Sequence, residues 1–409
     1  MGNKTHGRNN HTRMRHRGRA AAFGWLLGAV VWLLLLHPAP LHEDEAIYAV
    51  WTRALFTDPL LTQTPVDKPP LFFYAQLPFL LWQDSPLAAR LPNALATVAT
   101  ALIVARASRR PTWALALFAT TPLVIFFAAG GFTDPLMLAF LAIGWLAWQR
   151  HAPVAAGAAW AAALLTKPTA LLTLPFWLWL VKQRPADARP ALLTAGGLLL
   201  TAWAWDVSRA APSWWWLGRN AYGSLGRPTF AAAVAWLTPA LLGVGATWWA
   251  VLPRRRHPLT WLVLAWIPMH IMLGFQPWDR YLLPLAPLLA WLGADINTRR
   301  TRLLMLGGNI ALALVLLAHP TPGLAGRDGR WQGIETLAAR LPNAPVYHRT
   351  LGRPLAYYAP NATLIWLPDH ASPPPNAWWA GRVEDPECAA LVWFHPQSHL
   401  ALCRTRSTQ

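Results

Sequence analysis

The segment Leu41-His42-Glu43-Asp44-Glu45-Ala46-Ile47-Tyr48 sets three carboxylates and an imidazole side by side, just after a long apolar run. Carboxylates at such a spot could do several things. One of them could take the proton of an attacking hydroxyl. They could also merely complement the positive end of a helix that starts there. A divalent cation near Asp44 is a third use, because carboxylates with an imidazole can hold one; no cofactor or metal ligand is assigned. About twenty residues on, Val66-Asp67-Lys68-Pro69-Pro70 places a lysine beside an aspartate, and the prolines fix an extended turn before a very apolar stretch. Lys68 could hold a lipid phosphate while a nearby carboxylate takes the proton. The plainer reading is an interfacial ion pair of Lys68 with Asp67.

The elements that must position these residues are membrane helices. The chain has 409 residues, of which 55% are hydrophobic and only 13% charged, too little charge to cover a soluble surface of this size. Its 27 tryptophans suit a lipid–water boundary. Apolar runs long enough to cross about 30 Å of hydrocarbon recur at roughly 20–37, 87–105, 112–129, 134–149, 152–166, 169–181, 190–207, 230–252, 258–275, 280–296 and 302–319. The fold class expected is an α-helical polytopic membrane protein of about eleven spans, since an open strand edge cannot stand in lipid. The runs on either side of Lys167-Pro168 are short and could be one broken hairpin. The first run could instead be a cleaved signal peptide behind its basic segment.

The formal charge of +18 does not indicate nucleic acid, because the basic residues sit in short clusters between apolar runs rather than on one soluble face. They follow the positive-inside rule. With the N-terminus in the cytoplasm, Arg106 to Arg110, Arg150, Lys182 to Arg189, Arg254 to Arg256 and Arg299 to Arg302 lie inside, while Glu43, Asp44, Glu45, Asp67, Asp134, Asp206 and Asp279 lie outside. Domains follow: a basic cytoplasmic arm (1–19), a transmembrane unit (20–319) whose outer loop 38–86 carries interfacial helices, and a small extracytoplasmic α/β domain (320–409). In that domain a helix is expected near 333–341 and strands near 345–348, 363–367 and 390–394. Cys388 and Cys403 could pair if the tail faces an oxidising compartment, or remain two thiols. In the outer loop, Ile47, Val50, Trp51, Ala54 and Leu55 recur at helical spacing and predict a helix lying in the interface.

The motifs resemble those of a known family. Asp44-Glu45-Ala46-Ile47-Tyr48, then Asp67-Lys68-Pro69-Pro70-Leu71, then Ala88-Ala89-Arg90-Leu91-Pro92, are similar to elements of the dolichyl/polyprenyl-phosphate-sugar glycosyltransferase superfamily. That superfamily includes protein O-mannosyltransferases and the aminoarabinose transferase of lipid A (glycosyltransferase family 39, GT-C fold). Thr133-Asp134-Pro135, Leu165-Thr166-Lys167-Pro168 and Arg280-Tyr281-Leu282-Leu283-Pro284 resemble later elements, in order, across roughly residues 20–300. The resemblance implies an inverting transferase of a hexosyl or pentosyl unit. Its partners would be a polyprenyl-phosphate sugar donor, a lipid, glycan or protein acceptor, and membrane lipid. Asp44 then matches the catalytic carboxylate with Glu45 beside it; Lys68, Arg280 and Tyr281 match donor-phosphate contacts; Asp67, Asp134, Lys167 and Arg90 match cavity or substrate residues. In this chain the family's glycine between lysine and proline is missing at Lys167-Pro168, and the small tail does not match the family. Short basic inner loops and a compact chain suit a bacterial inner membrane, and the charge pattern puts the chemistry on the extracytoplasmic side.

Other residues read structurally. Trp214-Trp215-Trp216 reads as an interfacial anchor, with sugar stacking as the alternative. His270 reads as a packed histidine, and Arg90 as a residue that could only snorkel. Lys4, Arg8, Arg13, Arg15, Arg17 and Arg19 read as a topology anchor on anionic lipid. The competing function is a multi-pass transporter or flippase of a lipid-linked or small anionic substrate. That would place ionisable residues near mid-membrane rather than at span ends.

Overall fold

The computed structural model describes residues 39–217, 229–231, 235, 241–272, 279–319 and 329–406. The expectations for the arm 1–19, the run 20–37, most of the second outer loop, much of the run 230–252 and the His270 side chain lie outside the described residues.

Proline and serine set the helix starts. Helix α1 is Glu43–Ala54 and α2 is Leu71–Trp82, the latter beginning directly after Pro69-Pro70. Helix α3, Pro86–Ala107, opens with Pro86 at its first position while the Ser85 hydroxyl accepts from the Ala88 N–H. Helices α4 (Pro111–Thr120) and α5 (Pro122–Phe127) form one apolar run broken at Pro122, where the ring removes a donor. Helices α6 (Thr133–Gln149) and α7 (Pro153–Thr166) make a tight hairpin. A 3-10 turn over Pro168–Thr173 then leads into α8, Leu174–Gln183. Helix α9 is Pro185–Ser208, α10 is Pro258–Met272, α11 is Leu285–Ala294 and α12 is Arg299–Ala318.

Among the described residues, α3, α9 and α12 are each long and apolar enough to cross a membrane, whereas α2, α7, α11 and the segment Leu241–Ala250 are shorter apolar helices. The expected spans 112–129 and 280–296 thus come as broken pieces rather than single helices, with breaks at prolines 122 and 284, and a further break at Pro168 separates the two short runs on either side of it. The long helices turn apolar side chains outward: Leu193, Leu200 and Trp203 on α9, and Leu304 and Leu314 on α12, are exposed. Bare apolar stripes of this kind suit hydrocarbon rather than water. The chain is a polytopic helical membrane protein. Its interior is a continuous cluster that includes Val104, Phe118, Phe126, Phe132, Leu289 and Leu316. Helices α7 and α9 approach closely at Gly157, where a Cβ would sit 2.1 Å from the Ala191 carbonyl oxygen.

The helix α1 buries Glu45, Ala46, Tyr48, Ala49 and Thr52. The stripe expected from the sequence is rotated from this face: Ile47, Val50, Trp51 and Ala54 are only partly buried, while Leu55 is buried. The reason is that the buried side of α1 is chosen by ion pairing and by Gln76 of α2, whose Oε1 accepts a hydrogen bond from the Thr52 hydroxyl at 2.6 Å.

The C-terminal unit is a small α/β domain. Helix α13, Ile334–Ala339, precedes a five-stranded sheet of order β2-β1-β3-β5-β4. The strands are β1 (Val346–His348), β2 (Leu364–Trp366), β3 (Trp378–Arg382), β4 (Ala390–Phe394) and β5 (Leu400–Arg404). β1 pairs in parallel with β2 and β3; β5 pairs antiparallel with β3 and β4. A seven-residue helix, α14 (Gly352–Tyr358), crosses between β1 and β2. Cys388 and Cys403 form a disulfide beside buried Trp379.

Candidate active site

The site begins at the first turn of α1. The His42 side chain caps the helix by accepting from the Asp44 N–H at 3.2 Å. Glu45 reaches back to accept from the His42 N–H at 2.8 Å, completing a reciprocal cap. Both remaining tasks of Glu45 are also structural. It is fully buried, its Oε2 accepts from Arg90 Nη2 at 2.9 Å, and its Oε1 accepts from Arg90 Nε at 3.2 Å and from the Gly131 N–H. Arg90 in turn donates to the carbonyls of Ala39 and Pro40. Arg90 therefore does not snorkel; it ties the start of α1 to α3. Removing one partner of such a buried pair costs about 3–5 kcal/mol, because the other charge is left uncompensated.

Asp44 faces the other way. Its Oδ2 accepts from Arg280 Nη2 at 3.0 Å across a separation of 236 residues. Its Oδ1 accepts from Arg353 Nη1 at 3.3 Å. Burial by itself would raise the Asp44 pKa, but the neighbouring cations, Arg280 first and then Arg353 and Lys68, outweigh it and hold the carboxyl at about 2. Arg280 sits on a 3-10 turn, Asp279–Leu282, with its guanidinium 5.0 Å from the Phe132 ring centre. Behind it, Asp134 at the N-terminus of α6 lies 3.9 Å from Arg280 Nε and accepts from Lys167 Nζ at 2.6 Å. The Lys167 ammonium stands over the Tyr281 ring at 4.5 Å. Lys167, Asp134, Arg280, Asp44 and Arg353 thus form one chain of alternating charge. Lys68 is paired with Asp67 at 3.0 Å and contributes to the field at Asp44; its own pKa is lowered by burial against the pull of Asp67.

The structure brings Asp44, Asp134, Lys167, Arg280 and Tyr281 together, with Lys68 and Asp67 alongside. It sets Glu45 and Arg90 apart from this cluster as the fastening of α1. The imagined metal cluster of His42, Glu43, Asp44 and Glu45 does not form, since Glu45 is spent on Arg90 and Asp44 on two guanidiniums. Among the described residues no three His, Cys, Asp or Glu side chains gather as a metal site. Trp215 and Trp216 are exposed, as an interfacial anchor would be.

Sequence reasoning missed Arg353. It belongs to α14 of the tail domain, which docks on α1: the Tyr358 hydroxyl accepts from the Leu41 N–H at 2.8 Å, and Arg53 Nη1 donates to the Tyr357 carbonyl at 2.8 Å while lying over its ring. Nothing in the string Gly352-Arg353-Pro354 announces such a contact.

Residues 86–183 match the family of alpha-(1->6)-mannopyranosyltransferases, in its N-terminal domain. The structure is similar to the crystal structure of ArnT from Cupriavidus metallidurans in the apo state, with a TM-score of 0.62 and 16% identity, over 95% of this chain and 100% of that one. Against ArnT from the same organism bound to undecaprenyl phosphate, the TM-score is 0.63 at 14% identity, over 95% and 99% of the two chains. The chain shares its fold, GT-C, with these two structures. No curated protein sequence matches it. In this GT-C chain the family match covers α3 to α8, which supply Asp134 and Lys167, while the likeness to the solved structures takes in 95% of the chain.

Proposed function

We propose that this GT-C protein is an inverting glycosyltransferase that moves a sugar from a polyprenyl-phosphate donor to an acceptor hydroxyl on the extracytoplasmic side of the membrane. The observation that carries this reading is the meeting of Asp44 with Arg280 at the head of a polar chain through Asp134 and Lys167. A carboxylate next to anchored cations is what transfer from a lipid phosphate requires. The undecaprenyl phosphate in the structurally similar ArnT supports the donor class.

In this mechanism Asp44 takes the proton of the acceptor hydroxyl. The oxygen attacks the anomeric carbon on the face opposite the phosphate, the carbon–oxygen bond to phosphate breaks, and its electron pair leaves on the phosphate oxygen. Arg280 and Lys68 stabilise that growing negative charge, which counts for more in a site sheltered from water. Lys167 and Asp134 hold Arg280 in place, and Tyr281 backs Lys167. Glu45 and Arg90 are positioning residues: they fix the first turn of α1 and hence Asp44. A single displacement inverts the anomeric centre. The positive-inside pattern and the Cys388–Cys403 disulfide support the orientation. A sugar-transfer reading also accounts for the charges better than transport does, since they gather at one end of the helices. Mass analysis of lipids and envelope glycans from cells with and without the protein tests the reading. One glycan should lose a single sugar, with its polyprenyl-phosphate sugar accumulating; unchanged glycans and lipids would refute it.

A further inference from the structure

The tail domain supplies a cation to the site, and its geometry differs from that of the others. Arg280 is nearly enclosed, its side chain 10% exposed, and it touches both Asp44 and Asp134. Arg353 holds the second oxygen of the same carboxylate while its side chain stays 44% exposed. Its position is nonetheless defined. Arg353 and Tyr357 lie one turn apart on α14 and so share a face. Tyr357 is buried against α1, and Tyr358 and the Tyr357 carbonyl are bonded to Leu41 and Arg53.

Two consequences follow from the magnitudes. An ion pair with one partner this exposed contributes little to stability, so the docking of α14 rests on the tyrosines and Arg53 rather than on Arg353. The same weakness makes the Arg353–Asp44 contact easy to exchange. A phosphate offers a guanidinium a stronger, two-pronged contact than the single carboxylate oxygen at 3.3 Å does. With both of its oxygens engaged by guanidiniums, Asp44 is a poor proton acceptor until one of them leaves.

We propose that Arg353 is a donor-sensing residue: it holds Asp44 Oδ1 in the empty site and swings to the donor phosphate on binding, freeing that oxygen to receive the acceptor's proton. The tail domain is then part of the donor site, and base and phosphate binding are coupled through one side chain. This rests on the glycosyltransferase reading above.

The test uses the full-length protein in detergent or nanodiscs, with undecaprenyl phosphate as the probe, and compares wild type, R353A, R353K and D44N. R353A should weaken undecaprenyl phosphate binding about tenfold and raise the donor KM by a similar factor, with kcat changing less than threefold; R353K should recover part of the loss. D44N should bind the probe at least as tightly as wild type, because the competing carboxylate charge is gone, while its sugar transfer falls by roughly 10²–10⁴-fold. A merely structural Arg353 would lower the active fraction, moving kcat and leaving KM and affinity alone; that result overturns the proposal. If R353A does not accumulate, R353Q, which keeps a polar head without the charge, carries the same comparison. The two readings fail differently. Wild type that does not bind undecaprenyl phosphate defeats the donor assignment, whereas wild type that binds it and R353A that binds it equally well defeats only the role of Arg353.

Discussion

Asp44 and Glu45 are chemically near-identical neighbours with opposite assignments, and the helix explains why. Successive side chains on a helix point roughly 100° apart, so an Asp-Glu pair at a first turn cannot both face one cluster. Glu45 turns inward to Arg90 and the Gly131 N–H, and Asp44 turns to Arg280 and Arg353. The motif made both residues candidates; which of them meets the cations depends on the rotation of α1, and that is set by Arg90 and Gln76 far along the chain. Asp44 also carries a pH signature. Its folded pKa, about 2, lies below the ordinary 3.8. Its ion pairs therefore support the folded state fully above about pH 4 and lose that support as the pH falls through about 2. Thermal unfolding of wild type and D44N between pH 7 and pH 2 should show a gap that is flat down to about pH 4 and closes near pH 2. A gap unchanged across that range would mean that the carboxylate is not held by these cations.

At the scale of elements, the parts with strong local signals were legible. Ser85-Pro86 starts α3, Pro69-Pro70 leads into α2, and the hairpin α6–α7 turns where Arg150 and Pro153 stand. The runs at 345–348, 363–367 and 390–394 correspond to β1, β2 and β4, and the helix near 333–341 to α13. Strands β3 and β5 were not legible. β3 reads Trp-Trp-Ala-Gly-Arg after a proline-rich loop, with a glycine that weakens any strand pattern, and β5 reads Leu-Ala-Leu-Cys-Arg, whose buried run gives no alternation. Helix α14 was missed for a related reason: it is two turns long and has Pro354 in its first turn, where proline is tolerated but still reads as a loop. The disulfide joins the loop before β4 to buried Cys403 on β5, a separation of 15 residues. A crosslink of that span stabilises by about 3 kcal/mol. In the full-length C388S variant, limited proteolysis should cut the tail domain markedly faster than in wild type, with the helices before residue 320 protected as before. Equal cleavage rates would show that the sheet does not depend on the bond.

For the whole molecule, the candidate site is a meeting of distant segments: the first turn of α1, fastened to the start of α3, with the start of α6, the break after α7, the 3-10 turn at Arg280, and α14 of the tail. The sequence signalled most of these as polar residues at the ends of apolar runs, because charge is too costly within hydrocarbon to be placed there idly. It could not signal the tail's contribution, since a surface arginine on a soluble domain costs nothing and so leaves no trace in the pattern. The division of labour that results is simple. Buried pairs fix the frame; on the proposed mechanism, Arg280 and Lys68 face the phosphate and Asp44 takes the proton. The most direct measurement is sugar transfer by purified D44N with a polyprenyl-phosphate sugar donor, alongside confirmation of normal membrane insertion and abundance. Loss of a positioned general base lowers rates by roughly 10²–10⁴-fold, and the variant should fall in that range while still binding donor. Transfer by D44N at the wild-type rate would contradict the account.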